Sequence, residues 1–271
     1  MTISQDPDIL FRFNEASGTN VPNDGSGSDG TITSADTPQY TWNQDAGSYD
    51  GYLDLEDASY TNQTHITTAE TFASTLVSES IATRFQIQGY DSVVSFGTLY
   101  GPQGFRPGGS IYVIVNAPTT GGGSPNDFDL DCHCKATSGQ GDDTTAQTTF
   151  QDLTFGTDYA LAVSVDRSTG TACQARFKLD ALTEYAPTTT DQSGSVLDTV
   201  APYLGRVDDW NNYAGVLARM YYWAYWRGYA ISSADLALCN SAPKTTIPTW
   251  PSAGPAGDNT IIIVPTGPPL S

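Results

Sequence analysis

Positive charge is scarce in this sequence. Its 271 residues include 11 lysines and arginines against 30 aspartates and glutamates, for a net charge of −19. An acidic surface of this kind repels nucleic-acid phosphates and anionic lipid headgroups. The chain also lacks an apolar run long enough to cross a bilayer. We therefore expect neither nucleic acid nor a membrane as a partner.

Cysteine and histidine are rare as well. Four cysteines do not make a disulfide framework in a chain of this length, and a closed zinc site needs four ligands at recognisable spacing. We expect buried free thiols, with a disulfide or a metal site at "DCHC" (131–134) as the alternatives. The four residues concerned are Cys132, Cys134, Cys173 and Cys239.

The segment "NDGSGSDG" (23–30) has the composition of a calcium loop. Asp24 and Asp29 are the oxygen donors it offers, but the spaced acids and closing glutamate of an EF-hand are missing. A structural calcium ion is therefore the alternative here to a plain turn. We expect no cofactor elsewhere.

Alternation of apolar and polar residues with a period of two is the main signal that is present. In "TDYALAVSVD" (157–166) and "TACQARFKLD" (171–180) every second residue is apolar, and "VDRSTGTA" between them has turn chemistry. Such strands have one buried and one wet face, as in antiparallel sandwiches. We expect the core to contain Phe11, Phe13, Leu161, Val163, Phe177, Leu179, Met220 and Tyr222.

Only one short helix is predicted, followed by an extended arm. In "SSADLALC", Ser232 and Asp235 have the spacing of a capping box. The stretch from 240 to 271 holds seven of the sixteen prolines, and proline excludes both a helix and a central strand. We divide the chain into a domain (1–239) and a Pro-rich arm (240–271). Trp250, Ile261, Ile262, Ile263 and Val264 are the arm's candidate docking residues.

Several segments, in order, resemble laminin-G-like domains of the concanavalin A-like jelly-roll superfamily. They are "LFRFNEASGTNVPNDGSGSDGTIT" (10–33), "GYLDLED" (51–57), "YALAVSVDRSTGTACQARFKLD" (159–180) and "YAGVLARMYYWAYWRGYAISSADLALC" (213–239). The resemblance implies an all-β antiparallel sandwich over residues 8–239. That fold hosts lectins, glycosidases and structural domains alike, so it does not fix a function.

The sequence departs from the family at several points. The "ExDxxE" motif of the related glucanases is absent, and Ala218 and Arg219 replace the usual acids of the last strand. Asp127, Asp129 and Asp131 share one face of a strand at a separation that loosely suits glycosidase carboxylates. The alternative is a solvated acidic edge strand. We expect the protein not to be an enzyme.

The stretch "RMYYWAYWRGYA" (219–230) is the strongest candidate for a binding surface. Strict alternation places Met220, Tyr222, Ala224 and Trp226 on one face, and the laminin-G-like resemblance implies that this face is the core side. The opposite face is then an aromatic stripe flanked by arginines, and it consists of Arg219, Tyr221, Trp223, Tyr225 and Arg227. Three uses stay open for it: cover by the chain's own arm or a loop, a protein interface, or a platform that stacks on sugar.

Two functions follow from these features. The first is a non-enzymatic structural protein of a large assembly, such as a phage virion surface or decoration protein, whose partners are other subunits or a coat protein. The second is a carbohydrate-binding lectin or adhesin module that recognises surface glycans. The start of the sequence lacks a basic and an apolar segment. We therefore expect a virion surface or extracellular location reached without a secretory signal peptide.

Overall fold

Two antiparallel β-sheets pack face to face in the computed structural model of the chain. The structure describes residues 5–34, 36–44, 51–57, 64–69, 78–90, 96–102, 111–118, 126–135, 144–166, 168, 172–190, 202–205 and 215–241. Within these ranges, no helix has the length and apolar character that crossing a membrane requires.

Sixteen strands and one helix make up the described part of the chain. In chain order they are β1 (Ile9–Phe11), β2 (Asn20–Val21), β3 (Gly30–Thr33), β4 (Tyr40–Asn43), β5 (Tyr52–Leu55), β6 (His65–Thr68), β7 (Ser78–Tyr90), β8 (Phe96–Pro102), β9 (Ile111–Asn116), β10 (Asp127–Lys135), β11 (Thr144–Thr154), β12 (Asp158–Asp166), β13 (Ala172–Leu179), β14 (Thr188–Thr190), β15 (Pro202–Leu204), β16 (Val216–Arg227) and α1 (Ser233–Ser241).

Each sheet contains eight strands. Sheet A has the order β14-β13-β12-β7-β16-β5-β4, and β1 pairs with the second half of β16 beyond β5. Sheet B has the order β11-β10-β9-β8-β15-β6-β3-β2. All pairings are antiparallel, and β12 and β13 form the hairpin expected at 157–180. The predicted all-β antiparallel sandwich with one short helix is confirmed.

The core lies between the sheets and is built from the inward residues of the alternating strands. All eight residues that the alternation places in the interior are buried. Seven of them line the space between the sheets: Phe11, Phe13, Leu161, Val163, Phe177, Leu179 and Met220. Tyr222 belongs instead to a second apolar cluster on the outer face of sheet A. Period-two patterning therefore locates the core correctly, except where a strand departs from regular pairing.

That departure is a β-bulge in β16. Met220 pairs with Phe85 and Tyr222 with the adjacent Arg84, so β16 has one residue more than β7 at Tyr221. A bulge places two consecutive side chains on one face and reverses the alternation beyond it.

The helix α1 covers the second cluster. Tyr222, Ala224 and Trp226 pack there with residues of the helix and its approach, namely Ile231, Leu236 and Cys239. The expected capping pair is confirmed, because the Asp235 N–H donates to Ser232 Oγ at 3.2 Å and Ser232 Oγ donates to Asp235 Oδ2 at 3.0 Å. The helix runs to Ser241, past the predicted domain boundary at residue 239.

Candidate functional site

A line of polar side chains crosses the outer face of sheet A. Register partners in an antiparallel sheet share a face, and here the partners continue through five neighbouring strands. Their inward neighbours, such as Leu53 and Phe85, lie in the core. Four strand spacings of ~4.8 Å give a length of about 19 Å. We call this line the cross-strand row; it consists of Thr41, Asp54, Arg219, Gln86 and Asp158.

Arg219 and Asp54 form the centre of the row. Arg219 Nε and Nη2 donate to Asp54 Oδ1 and Oδ2 at 2.9 and 3.0 Å, a bidentate pair. The guanidinium carbon lies 3.9 Å from the ring centroid of Tyr52, within cation–π range. The hydrogen bond with Asp54 raises the pKa of Arg219. The guanidinium is thus held flat on Tyr52 and its charge is matched by Asp54.

The bulge residue Tyr221 fixes the position of this centre. Its side chain is buried, its ring meets the Tyr52 ring edge-on at 5.9 Å, and its hydroxyl donates to Asp158 Oδ1 at 2.9 Å. Burial, and secondly this hydrogen bond, raise the pKa of Tyr221. The alternation before the bulge directs Tyr221 outward beside Arg219, and the bulge places Tyr222 on the same outer face.

Gln86 joins the row to the turn that precedes β12. Its Nε2 donates to Asp158 Oδ1 at 3.1 Å and to the Gly156 carbonyl at 2.8 Å. Gly156 has a φ of 76°, in the left-handed region that favours glycine. The tight turn therefore brings a backbone acceptor against the Gln86 amide and orients it.

The row is suited to binding rather than to nucleophilic chemistry. Its side chains combine planar groups, amide and guanidinium donors and carboxylate acceptors on a half-exposed face. Thr41 and Gln88 on this face are exposed, and the Asn43 amide donates to Asp54 Oδ2 at 3.4 Å. A ligand with many hydroxyl groups, which both donate and accept, fits this inventory.

The proposed stripe of Arg219, Tyr221, Trp223, Tyr225 and Arg227 does not exist as one surface. Trp223 and Tyr225 are 0% and 1% exposed and stack on each other at 5.9 Å in the inter-sheet core. The prediction of their outward orientation is wrong because the bulge at Tyr221 shifts the alternation by one residue. For the same reason Ala224 and Trp226 face outward, under the helix, and not into the inter-sheet core.

Arg227 lies at the far end of β16. Eight residues separate it from Arg219, which is roughly 25 Å along a strand. Its backbone N–H donates to Asp8 Oδ2 at 2.6 Å, and it pairs with Glu79 rather than with the row. Of the five predicted residues, the structure therefore brings only Arg219 and Tyr221 together.

The carboxylates of the suspected calcium loop have separate partners. Asp24 forms an ion pair with Arg12. Asp29 accepts from the Asn23 N–H at 2.9 Å and from Asn20 Nδ2 at 3.0 Å, and these hydrogen bonds lower its pKa. Asp29 thus stabilises the turn between β2 and β3, and Asp24 connects that turn to the segment that follows β1. Within the residues that the structure describes, no group of three or more metal-ligating side chains is present.

Asp127, Asp129 and Asp131 lie on the outer face of sheet B. The expected edge strand is wrong, because β10 pairs with both β9 and β11. Asp129 is buried and accepts the Asp152 N–H at 3.0 Å, while Asp131 accepts from Asn116 and from Thr149 Oγ1. These carboxylates hold neighbouring strands and a bulge in β11 in place.

Three cysteines are buried free thiols, as expected: Cys132, Cys134 and Cys239. The Cys173 side chain lies outside the described part of the structure, as do all five docking residues predicted in the arm. Those are Trp250, Ile261, Ile262, Ile263 and Val264. The arm itself therefore stays a prediction.

Sequence reasoning missed Tyr52, Asp54, Gln86 and Asp158. The alternation in "GYLDLED" does give Tyr52 and Asp54 a common face opposite Leu53 and Leu55. What it cannot give is the register with β16, because nothing in either strand specifies which residue of one meets Asp54 in the other.

Comparison with known proteins shows the fold. No family model and no curated sequence matches this chain. Domain 4 of an extracellular GH43 arabinanase from Geobacillus stearothermophilus, solved with arabinotriose, matches with a TM-score of 0.51 and 14% identity over 87% of this chain and 98% of that one. The laminin-G-like resemblance consequently stays a prediction.

Botulinum neurotoxin binding domains are similar as well. The DC-type domain, solved with rat synaptotagmin II, matches with a TM-score of 0.55 and 8% identity over 87% of this chain and 51% of that one. A type C structure, whose printed subject is cell entry dependent on two ganglioside molecules, gives 0.55 and 9% over 86% and 50%. This chain thus spans about half the length of the toxin chains that it matches.

Proposed function

We propose that this chain is a non-enzymatic carbohydrate-binding module whose binding face is the outer face of sheet A around the cross-strand row. One observation carries the proposal: the Arg219–Tyr52 stack is surrounded by oriented amide, hydroxyl and carboxylate groups on a half-exposed face. Sugars present hydroxyls to such groups and C–H faces to aromatic rings. Tyr52 is the aromatic contact, and Tyr221 is a positioning residue.

The similar structures support this choice between the two functions. One was solved with an arabinose trisaccharide and another concerns ganglioside recognition. For the present chain, glycan recognition by the row is our proposal, argued from its side chains.

The hydrogen bonds of the row support a binding rather than a catalytic role. A glycosidase general acid must hold a proton that it can donate. Asp54 instead accepts two hydrogen bonds from a guanidinium, and Asp158 accepts from Tyr221 and Gln86. Both carboxylates act as fixed acceptors that hold donors in place.

A second role, in the assembly of a virion surface or another extracellular particle, is favoured by one observation. Leu182 and Tyr185 are 51% and 48% exposed, beside the β13–β14 edge of sheet A. Exposed large apolar side chains at a sheet edge are typical of contacts with other protein subunits. The two roles are compatible, because the row ends on β12, whereas Tyr185 pairs with Phe177 on the far side of β13.

Substitutions of one aromatic and one polar contact residue test the binding proposal. Tyr52→Ala removes the aromatic surface and Gln86→Ala an oriented amide. Tyr185→Ala and Gln174→Ala, both on exposed residues away from the row, are the matched controls. On a glycan array followed by calorimetry, we expect each row variant to lose about tenfold in affinity, or ~1.4 kcal/mol.

Melting temperatures establish that the variants are folded. Controls that bind like the unmodified protein, together with weakened row variants, would support the proposal. Equal binding by all five proteins, or no binding of any glycan, would refute it.

A further inference from the structure

The charges around the row restrict the class of sugar that it can take. The acids in the described part of this face are Asp54 and Asp158 of the row and the exposed Glu56, which follows β5. Positive charge comes from Arg219, which pairs with Asp54, and from Lys178 on the adjoining β13, whose ammonium donates to a backbone carbonyl. Arg84 lies on the same face of β7, but it is 1% exposed and out of reach of a ligand. The described part of the face therefore has an excess of negative charge.

The charge of the guanidinium is also matched. Its side-on edge, Nε and Nη2, donates to Asp54, and its carbon lies over the Tyr52 ring. A uronate or sialate carboxylate would obtain the side-on bidentate geometry only by displacing Asp54. At the remaining edge it would meet a guanidinium whose charge Asp54 already neutralises, on a face with an excess of carboxylates, which disfavours a like-charged ligand.

The dimensions of the row point to an extended ligand. Its five residues come from five strands and span about 19 Å at right angles to the strand direction. A single sugar ring covers only part of that length, whereas a short oligosaccharide laid across the strands reaches all of it.

We propose, building on the proposed function, that the cross-strand row binds an uncharged oligosaccharide several rings long and discriminates against sugars that carry a carboxylate. The discrimination comes from the Asp54–Arg219 pair, which neutralises the guanidinium at the centre of the row, and from the excess of carboxylates on this face.

The test compares ligands that differ only in this charge. Tetragalactose and tetragalacturonate, of equal length, are titrated into the full chain by calorimetry, with galactose as the short ligand. We expect the neutral tetramer to bind at least ~10-fold tighter than either of the other two. Asp54→Asn removes one carboxylate and frees the guanidinium fork, so it should shift the preference toward the uronate by ~10-fold. Asp127→Asn, the same change of charge on the outer face of sheet B, should leave the preference as it is.

Salt provides a second measurement that needs no variant. Screening weakens repulsion between exposed charges, so raising the ionic strength should narrow the gap between the two tetramers in the unmodified protein. A uronate that binds as tightly as the neutral tetramer, or a preference unaffected by both salt and Asp54→Asn, would overturn the inference while leaving glycan binding intact. If galactose bound as tightly as the neutral tetramer, the inference of an extended ligand would be overturned. If neither the tetramers nor any sugar on the array bound, the proposed function itself would fail, and the inference with it.

Discussion

Arg219 shows how much of a residue's role depends on its neighbours across the sheet. Its outward orientation follows from alternation along β16, and the sequence predicts it correctly. Its chemistry does not follow, because a free arginine on a surface would attract anions. The register with β5 places Asp54 opposite it and turns it into a neutralised, oriented donor group.

At the residue scale, the burial of tyrosines and thiols is tested by how the stability of the protein depends on alkaline pH. Burial, reinforced by the neighbouring Glu79 carboxylate, raises the pKa of Tyr100 and Tyr225 well above the usual value. Burial likewise raises the pKa of Cys132 and Cys239. The folded protein thus keeps protons that the unfolded chain releases.

The direction in which stability changes with pH follows from that difference in bound protons. The stability due to these groups is fully present below about pH 8.5, where thiols and tyrosines are protonated in both states. It falls as the pH rises, because the unfolded state then binds fewer protons. We expect the free energy of unfolding in urea to fall between about pH 9 and 11, with the tyrosinate absorbance of the buried tyrosines appearing only on unfolding. Tyr225→Phe should reduce the limiting slope by about 1.4 kcal/mol per pH unit, or one proton. A stability that stays constant over this interval would contradict the burial of these groups.

At the scale of elements, the bulge in β16 separates what the sequence predicts from what it does not. Period-two patterning identifies the sandwich, the β12–β13 hairpin and the core residues before the bulge, including Met220. It does not give the face of Trp223 and Tyr225, because either face of "RMYYWAYWR" is apolar enough to be buried. Pairing with β7, in which β16 has one extra residue at Tyr221, turns both of them into the core.

Two single-residue deletions test the bulge. Deleting Tyr221 joins Met220 directly to Tyr222, whose partners Phe85 and Arg84 are already adjacent. The ladder becomes regular and the core keeps its residues, so we expect a folded protein that is destabilised by ~1–2 kcal/mol. Deleting Ala224 reverses every side chain after Trp223 and should prevent folding. Circular dichroism and thermal melting measure both, and equal losses in the two deletions would contradict the register.

The helix α1 offers an independent test at the same scale. Ser232→Ala removes the hydroxyl that accepts the Asp235 N–H, a loss typically worth ~1 kcal/mol. Ser233→Ala, one residue later, removes a hydroxyl that donates to the Glu184 side chain on the surface, and it should cost less than half as much. Urea unfolding measures both free energies. If Ser233→Ala were as costly as Ser232→Ala, the helix start would be misplaced.

At the scale of the whole molecule, the sandwich has two outer faces, and α1 covers part of one of them. On sheet A, α1 covers the end of β16 that carries Trp226 and leaves the end that carries Arg219 half-exposed. On sheet B, the aspartates of β10 are occupied with hydrogen bonds to neighbouring strands and the bulge in β11. The open half of sheet A is therefore the part of the described surface that we propose as the binding face.

The central claim, that this half of sheet A binds glycan, is tested most directly by mapping the contact. Amide resonances of the isotope-labelled protein are followed by NMR while a tetrasaccharide that binds on the array is added. We predict that the shifted amides cluster on Asp54, Gln86, Asp158 and Arg219, while the indole N–H of the buried Trp223 stays in place. Shifts centred on Asp131 and Thr149 on the outer face of sheet B, with the row unaffected, would contradict the account.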